Sequence, residues 1–244
     1  MTFQYQIQPA SENALLLTFS TGTENTAGLM DFLPLLQKLI PQIETVFAQN
    51  LRELVPSYHS LLLVFDLQQL SYATAKQQLQ NLVEQLQQDT PNLADFHQDS
   101  SGKIHVIPVC YDLQFGLDLA ELAQQKVLSI EDIIRIHSER AYQVCAIGFA
   151  PAFAYLGEVD ERIASPRHAS PRLSIPAGSV GIADRQTAIY PKASPAGWQI
   201  LGQTPWDLSL NNPDNLMRFR VGDQVKFEPI VYDEFLAIKN GEAS

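Results

Sequence analysis

The sequence predicts two parts: a compact α+β unit with a ferredoxin-like pattern in residues 1–98, and a mainly-β barrel, closed or partly closed, in residues 99–244. Three observations carry this. Strand-like and helix-like periods alternate over the first 90 residues. The stretch 87–102 (QQDTPNLADFHQDSSG) is polar and rich in turn formers, which marks a boundary. Beyond residue 140 the chain becomes short apolar runs cut by Gly and Pro, as expected of a barrel.

The elements follow in order. FQYQIQP (3–9) alternates and runs into ALLLTF (14–19), as one strand or as two joined at Ser11–Asn13. In GLMDFLPLLQKLIPQ, Leu29, Phe32, Leu33, Leu36 and Ile40 share a helical face, with Pro34 in the first turn or at a kink. VFAQNLRELVPSYHSLLLVFD (46–66) reads as a strand or hairpin bent at Pro56. Ser71 caps a helix over 71–88 whose apolar face is Tyr72, Ala75, Leu79, Leu82, Val83 and Leu86. The order strand, helix, strand, helix, strand is the ferredoxin-like pattern.

The second part opens with the strand KIHVIPVCY (103–111). Helices follow from Asp118 and from Ser129, where Asp132 stands three residues after the cap, close to a capping box. Short strands then follow: YQVCAIG, LSIP, SVGIA, QTAIYP, WQILG and QVKFEPI.

Composition limits the function. The 244 residues carry a net charge of −11, which argues against nucleic acid as a partner. No apolar run nears the ~20 residues of a membrane span, and the N-terminus lacks the basic and apolar regions of a secretory signal. Cys110 and Cys145 lie in apolar runs and read as buried small hydrophobes, which favours a reducing cytoplasm. The five histidines have no ligand spacing, so no metal site is expected.

One stretch runs against the overall charge. From Arg162 to Trp206 there are five basic residues and one acid, among many Pro, Gly and aromatic residues. A positive face shaped by turns suggests an anionic ligand or an acidic partner, although each Arg is equally explained by a surface ion pair. Arg167 and Arg172 sit in S-P-R-H-A-S-P-R, where each preceding Pro stiffens the carrier of a guanidinium fork. Phe149, Phe153 and Tyr155 flank Pro151 and read as a core corner, a pocket wall or an interface. Trp198 reads as core or interface. His137 closes a helix leading into this stretch, as a dipole partner or as a general acid–base group. Ser179 lacks the Gly two residues earlier that a nucleophile elbow needs.

Three segments carry a family resemblance: HSERAYQVCAIGFAPAFAYLG, SPRHASPRLSIPAGSVGIADRQTAIYPKASPAGWQILGQTPWDL and VGDQVKFEPI. Together with RELVPSYHSLLLVFD in the first half, they resemble the B-subunit family of bacterial 5-oxoprolinase. That family is known also as allophanate hydrolase subunit 1 or as the Kip-type inhibitor of a sporulation histidine kinase. The resemblance implies a cyclophilin-like second domain and a cytoplasmic complex with two partner proteins, a carboxyltransferase-like C subunit and an A subunit. It implies ATP, with Mg as counter-ion, bound by the complex, and opening of the 5-oxoproline lactam to L-glutamate. The alternatives are a regulator that inhibits a sensor histidine kinase, or a component of a related amide- or urea-processing enzyme. It carries over His137, Arg167 and Arg172 as catalytic, and Phe149, Pro151, Phe153, Tyr155, Ser179, Gln186, Tyr190 and Trp198 as substrate-binding. Departures stand at Asp112, Ala152 and Ala196, where the family usually has Gly.

Overall fold

The computed structural model describes residues 2–21, 29–99, 102–209, 211 and 213–242. The chain divides into two compact units, Met1–Ser101 and Gly102–Ser244.

The first unit contains β1 (Gln4–Ser11), β2 (Ala14–Ser20), α1 (Leu33–Phe47), β3 (Leu51–Ser57), β4 (Ser60–Phe65) and α2 (Tyr72–Asp89). The sheet order is β1-β2-β4-β3 and every neighbouring pair is antiparallel. The period of two is clear: Leu15, Leu17 and Phe19 of β2 and Leu61, Leu63 and Phe65 of β4 are buried. Leu35, Leu36, Leu39, Ile43 and Phe47 of α1, and Ala75, Leu79, Val83 and Leu86 of α2, are buried as well, and the two helices touch each other. Ser71 caps α2 by accepting from the Thr74 amide at 3.2 Å. In α1, Leu39 and Ile43 complete the buried stripe and Ile40 does not. A 3₁₀ turn at Leu29–Phe32 precedes the α-helix, which begins at Leu33.

The ferredoxin-like expectation for the first part is corrected here. That pattern needs strand, helix, strand, strand, helix, strand, whereas the observed order is two strands, helix, two strands, helix. The turn after Ser11 splits the first apolar run into a hairpin, with Tyr5 opposite Phe19. The strand expected at 103–111 opens the second unit as the sequence indicates, so among the described residues no strand follows α2 in the first.

The second unit contains β5 (Ile104–Cys110), α3 (Leu119–Lys126), α4 (Ile130–Ser138), β6 (Ala141–Ile147), β7 (Ala154–Gly157), β8 (Arg172–Ile175), β9 (Ser179–Ala183), β10 (Gln186–Ile189), β11 (Ser194–Ala196), β12 (Gln199–Gln203), β13 (Gln224–Ile230) and α5 (Tyr232–Lys239). Seven strands run β6-β13-β5-β12-β9-β10-β7, and the β6–β7 pairing closes them into a barrel. One pair, β13 with β5, is parallel. This closed barrel fits a cyclophilin-like architecture. Strands β8 and β11 form a separate two-stranded ribbon.

Two apolar clusters lie on opposite faces of β9, β10 and β12. Val180, Ile182, Ile189 and Leu201 fill the barrel with Val144, Leu156, Val225 and Phe227. Ala183, Ala188 and Ile200 face a second cluster containing Phe153, Tyr190 and Trp198. Burial on both faces explains why SVGIA is apolar throughout instead of alternating. Ser129 caps α4 by accepting from the Asp132 amide at 3.0 Å. Among the described residues no helix is long and apolar enough to cross a membrane.

Gly178 turns the chain into β9. Its φ is +80°, and a Cβ placed there would stand 2.6 Å from the Thr204 carbonyl oxygen. Its own carbonyl accepts from the Thr204 amide at 2.9 Å, and its amide donates to the Tyr190 carbonyl at 2.7 Å. Gly178→Ala is therefore expected to destabilise the second unit by about 1–3 kcal/mol. Urea unfolding followed by tryptophan fluorescence checks this, since both tryptophans, Trp198 and Trp206, lie in that unit; an unchanged midpoint would contradict it.

Candidate functional site

The turn from β6 to β7 builds one wall of a cavity. The Gly148 amide donates to the Phe153 carbonyl at 3.1 Å, and the Phe153 amide to the Ala150 carbonyl at 3.0 Å. Closing so tight a turn puts Phe149 at φ +70° and Ala152 at φ +64°. The left-handed region costs a non-glycine residue about 1 kcal/mol. Ala152 thus carries that strain where the resembling family has Gly, while Ala196 in β11 has no positive φ.

The turn buries Phe153 and leaves Phe149 67% exposed. Phe153 is the hub of an edge-on aromatic cluster. Its ring centre lies 5.1 Å from Phe149, 4.9 Å from Tyr155, 5.3 Å from Tyr190 and 6.0 Å from Trp198. These rings, with Arg167, His168, Pro171, Pro195, Ala196 and Gly197, line a cavity of about 160 Å³. Drug-sized pockets span about 300–1,000 Å³, so this one suits a single small ring. The Arg167 guanidinium lies 5.7 Å from the centre of the Trp198 ring and has no ion-pair partner among the described residues. Burial pushes the Tyr190 phenol up to about 12, the Arg167 charge pulls it down, and Tyr155 raises it further. The cavity therefore presents apolar walls, a neutral phenol and one cation held over an indole face.

Behind the cavity lies Asp118, 1% exposed. It sits at the start of α3, yet its carboxylate makes no capping bond. Arg172 grips it with both terminal nitrogens, Nη1 to Oδ2 at 2.9 Å and Nη2 to Oδ1 at 2.6 Å. The Ile200 amide donates to Oδ2 at 2.6 Å, and His168 Nε2 stands 3.1 Å from Oδ1. Arg172, read from sequence as an anion-binding group, is thus committed to a buried carboxylate of its own chain.

His137 lies elsewhere, fully buried in the barrel and stacked 4.7 Å from Phe227. Its hydrogen bonds form one consistent chain. The Thr187 hydroxyl donates to the Gly181 carbonyl at 3.1 Å, so it accepts from His137 Nε2 at 2.9 Å. Nδ1 then accepts from the Tyr111 hydroxyl at 2.8 Å. Both ring nitrogens are used, and burial lowers the imidazole to about 3. Ser179, also buried, donates to the Pro176 carbonyl at 2.8 Å. Gln186 begins β10, and Pro151 is exposed at the tip of the turn. Of the site residues read from sequence, the cavity gathers Phe149, Phe153, Tyr155, Arg167, Tyr190 and Trp198; it does not gather His137, Pro151, Arg172, Ser179 or Gln186. Sequence reasoning passed over His168, whose one signal is its place between the two Pro-Arg pairs. It took Asp118 only as a helix start. Among the described residues no group of three or more His, Cys, Asp or Glu side chains could hold a metal ion.

Residues 5–216 match the family carboxyltransferase domain, subdomain C and D. The 5-oxoprolinase B subunit of Bacillus subtilis (strain 168) is 38% identical over 245 residues, spanning 98% of each chain. A conserved uncharacterized protein from Pyrococcus horikoshii is 40% identical, superposes with a TM-score of 0.53, and covers 94% of this chain and all of its own. The urea amidolyase of K. lactis superposes with a TM-score of 0.68 at 18% identity, over 97% of this chain and 15% of that longer one, a likeness of fold.

The His137 network makes a pH prediction. The unfolded ring titrates near 6.5 and the folded ring near 3. Below 6.5 the unfolded state takes up a proton that the folded state refuses, so the contribution is complete above 6.5 and is lost as pH falls toward 3. His137→Gln should flatten the fall in unfolding free energy of the second unit between about pH 6.5 and 4. Denaturation followed by tryptophan fluorescence across that range checks it; an unchanged slope would assign the acid sensitivity to other groups.

Proposed function

The chain belongs to the B-subunit family of 5-oxoprolinase, within the carboxyltransferase domain family of subdomains C and D, and from that premise we propose that it serves an ATP-dependent 5-oxoprolinase that opens the 5-oxoproline lactam to L-glutamate. It acts in the cytoplasm with a carboxyltransferase-like C subunit and an A subunit. The observation that carries this reading is 38% identity to a 5-oxoprolinase B subunit across 98% of both chains. Two free, buried cysteines agree with a reducing compartment.

The cavity supports the same reading through its chemistry. 5-Oxoproline is a five-membered ring bearing one carboxylate. Aromatic edges and faces suit the ring, and Arg167 suits the carboxylate, since a charged fork binds that group with paired hydrogen bonds. Phe149 and Arg167 are exposed, which supports a cavity mouth open to a partner protein. An adenine nucleotide does not fit a cavity of about 160 Å³. Mg-bound ATP is, in this reading, held elsewhere in the complex. In this reading Arg167 holds the substrate anion, the rings orient the lactam and exclude water, and Arg172 keeps the Arg167–His168 loop in place through Asp118.

Reconstitution with the A and C subunits, omitting one protein at a time, tests the reading: glutamate formation from 5-oxoproline should need ATP and this chain. Arg167→Ala in that complex should raise KM for 5-oxoproline about 10- to 100-fold, the loss of one charged hydrogen-bonded contact. The thermal midpoint should not move. An unchanged KM would remove Arg167 from the anion site.

A further inference from the structure

His168 and Asp118 have no catalytic part in the reading above, yet they meet at the cavity wall. A carboxylate offers about four acceptor positions, two on each oxygen. In Asp118 three are taken by N–H groups that cannot do otherwise: Arg172 Nη2 on Oδ1, and Arg172 Nη1 with the Ile200 amide on Oδ2. The fourth, on Oδ1, faces His168 Nε2 at 3.1 Å. Donation from Nε2–H completes the buried carboxylate. The neutral ring is thereby left with its lone pair on Nδ1, which has no hydrogen-bond partner among the described residues. Arg172 Nη1 also stands 3.1 Å from Nε2, and since a guanidinium only donates, a bond from it to Nε2 and donation from Nε2–H to Oδ1 exclude one another; the Nε2–H tautomer is the one that avoids setting the ring lone pair against Oδ1 of a buried carboxylate. The ring is anchored at its base, because the His168 amide donates to the Gly197 carbonyl at 2.7 Å. The groups that share the cavity with it are Arg167 and the phenols of Tyr155 and Tyr190. His137, the histidine that the sequence puts forward for proton transfer, has both nitrogens committed inside the barrel.

We infer that His168 is the proton-transfer residue of the cavity, with Asp118 as the positioning residue that fixes its tautomer and Arg172 as the counter-ion of Asp118. The inference rests on the reading of the cavity as the lactam site. In that reaction Nδ1 takes a proton from the attacking water as the water oxygen bonds to the lactam carbonyl carbon. The proton then passes to the lactam nitrogen as the C–N bond breaks. One O–H and one C–N bond are exchanged for one C–O and one N–H bond; nothing is oxidised or reduced. An oriented carboxylate behind an imidazole is how such a ring is held in one tautomer for proton transfer.

The test uses the reconstituted complex with the wild-type chain and with His168→Gln, His168→Ala and Asp118→Asn. General acid–base groups contribute about 10²- to 10⁴-fold. His168→Gln should lower kcat at least about 100-fold while KM for 5-oxoproline stays within about threefold. Added imidazole should restore part of the kcat of His168→Ala, which a purely structural histidine would not allow. Asp118→Asn should lower kcat with the same small change in KM. If the wild-type complex is active and His168→Gln keeps kcat within about threefold, the inference falls and the reading of the cavity stands. A loss in His168→Ala that imidazole leaves untouched also overturns it. If leaving out the wild-type chain does not reduce turnover, the reading falls and the inference falls with it.

Discussion

The second unit depends on one ion pair, the buried Asp118 carboxylate gripped by the half-buried Arg172. Asp118 and Arg172 are 54 residues apart, and Asp118 and Ile200 are 82 apart, yet one carboxylate binds both. The Asp118 amide also donates to the Ile200 carbonyl at 3.0 Å, so the start of α3 is tied to β12 from backbone and side chain alike. A carboxylate taken out of water is tolerated only when its oxygens are filled by good donors, and here they are. The consequence is geometric. The ribbon of β8 and β11 and the Pro-Arg loop are pinned against the barrel, which fixes where Arg167 and His168 stand.

His137 and His168 show how environment divides one residue type into two roles. His137 has a hydroxyl at each nitrogen and an aromatic ring stacked on it, and burial holds it neutral. It is part of the barrel core, where Tyr142 also donates to its carbonyl at 2.8 Å. His168 has one nitrogen against a buried carboxylate and lines a cavity. Helix position favoured the first residue in the sequence; partners in space favour the second.

Local signals made several elements legible. Ser71 and a clean apolar period predict α2, Ser129 predicts α4, and Gly/Pro punctuation delimits β6, β8, β9, β10, β12 and β13. Pairing was not legible. The Ser11–Asn13 turn in FQYQIQPASENALLLTF left one strand or two open, and the ferredoxin-like order counts that run once, whereas it folds back as a hairpin. Strands β7 and β11, of four and three residues, are too short to show a period. Helix α5 buries only Phe235, so it has no apolar stripe to find. In the site, aromatic density pointed to the rings that now line the cavity. The sequence could not separate Arg167 from Arg172, because the difference is a carboxylate outside the motif. Asp118 was hidden for the same reason: a residue at a helix start reads as a cap, and here its side chain turns away from that task.

The claim that the Asp118–Arg172 pair holds this face together is tested most directly by a double-mutant cycle of Asp118→Ala and Arg172→Ala, with urea unfolding followed by tryptophan fluorescence. Arg172→Ala strands the buried Asp118 carboxylate and should cost about 3–5 kcal/mol, whereas Asp118→Ala strands a guanidinium that is partly solvated and should cost about 2–3 kcal/mol. The double variant should cost little more than the worse single one, giving a coupling of about 2–3 kcal/mol. Losses that simply add, with no coupling, would contradict the claim and leave the cavity wall to be held by its apolar contacts alone.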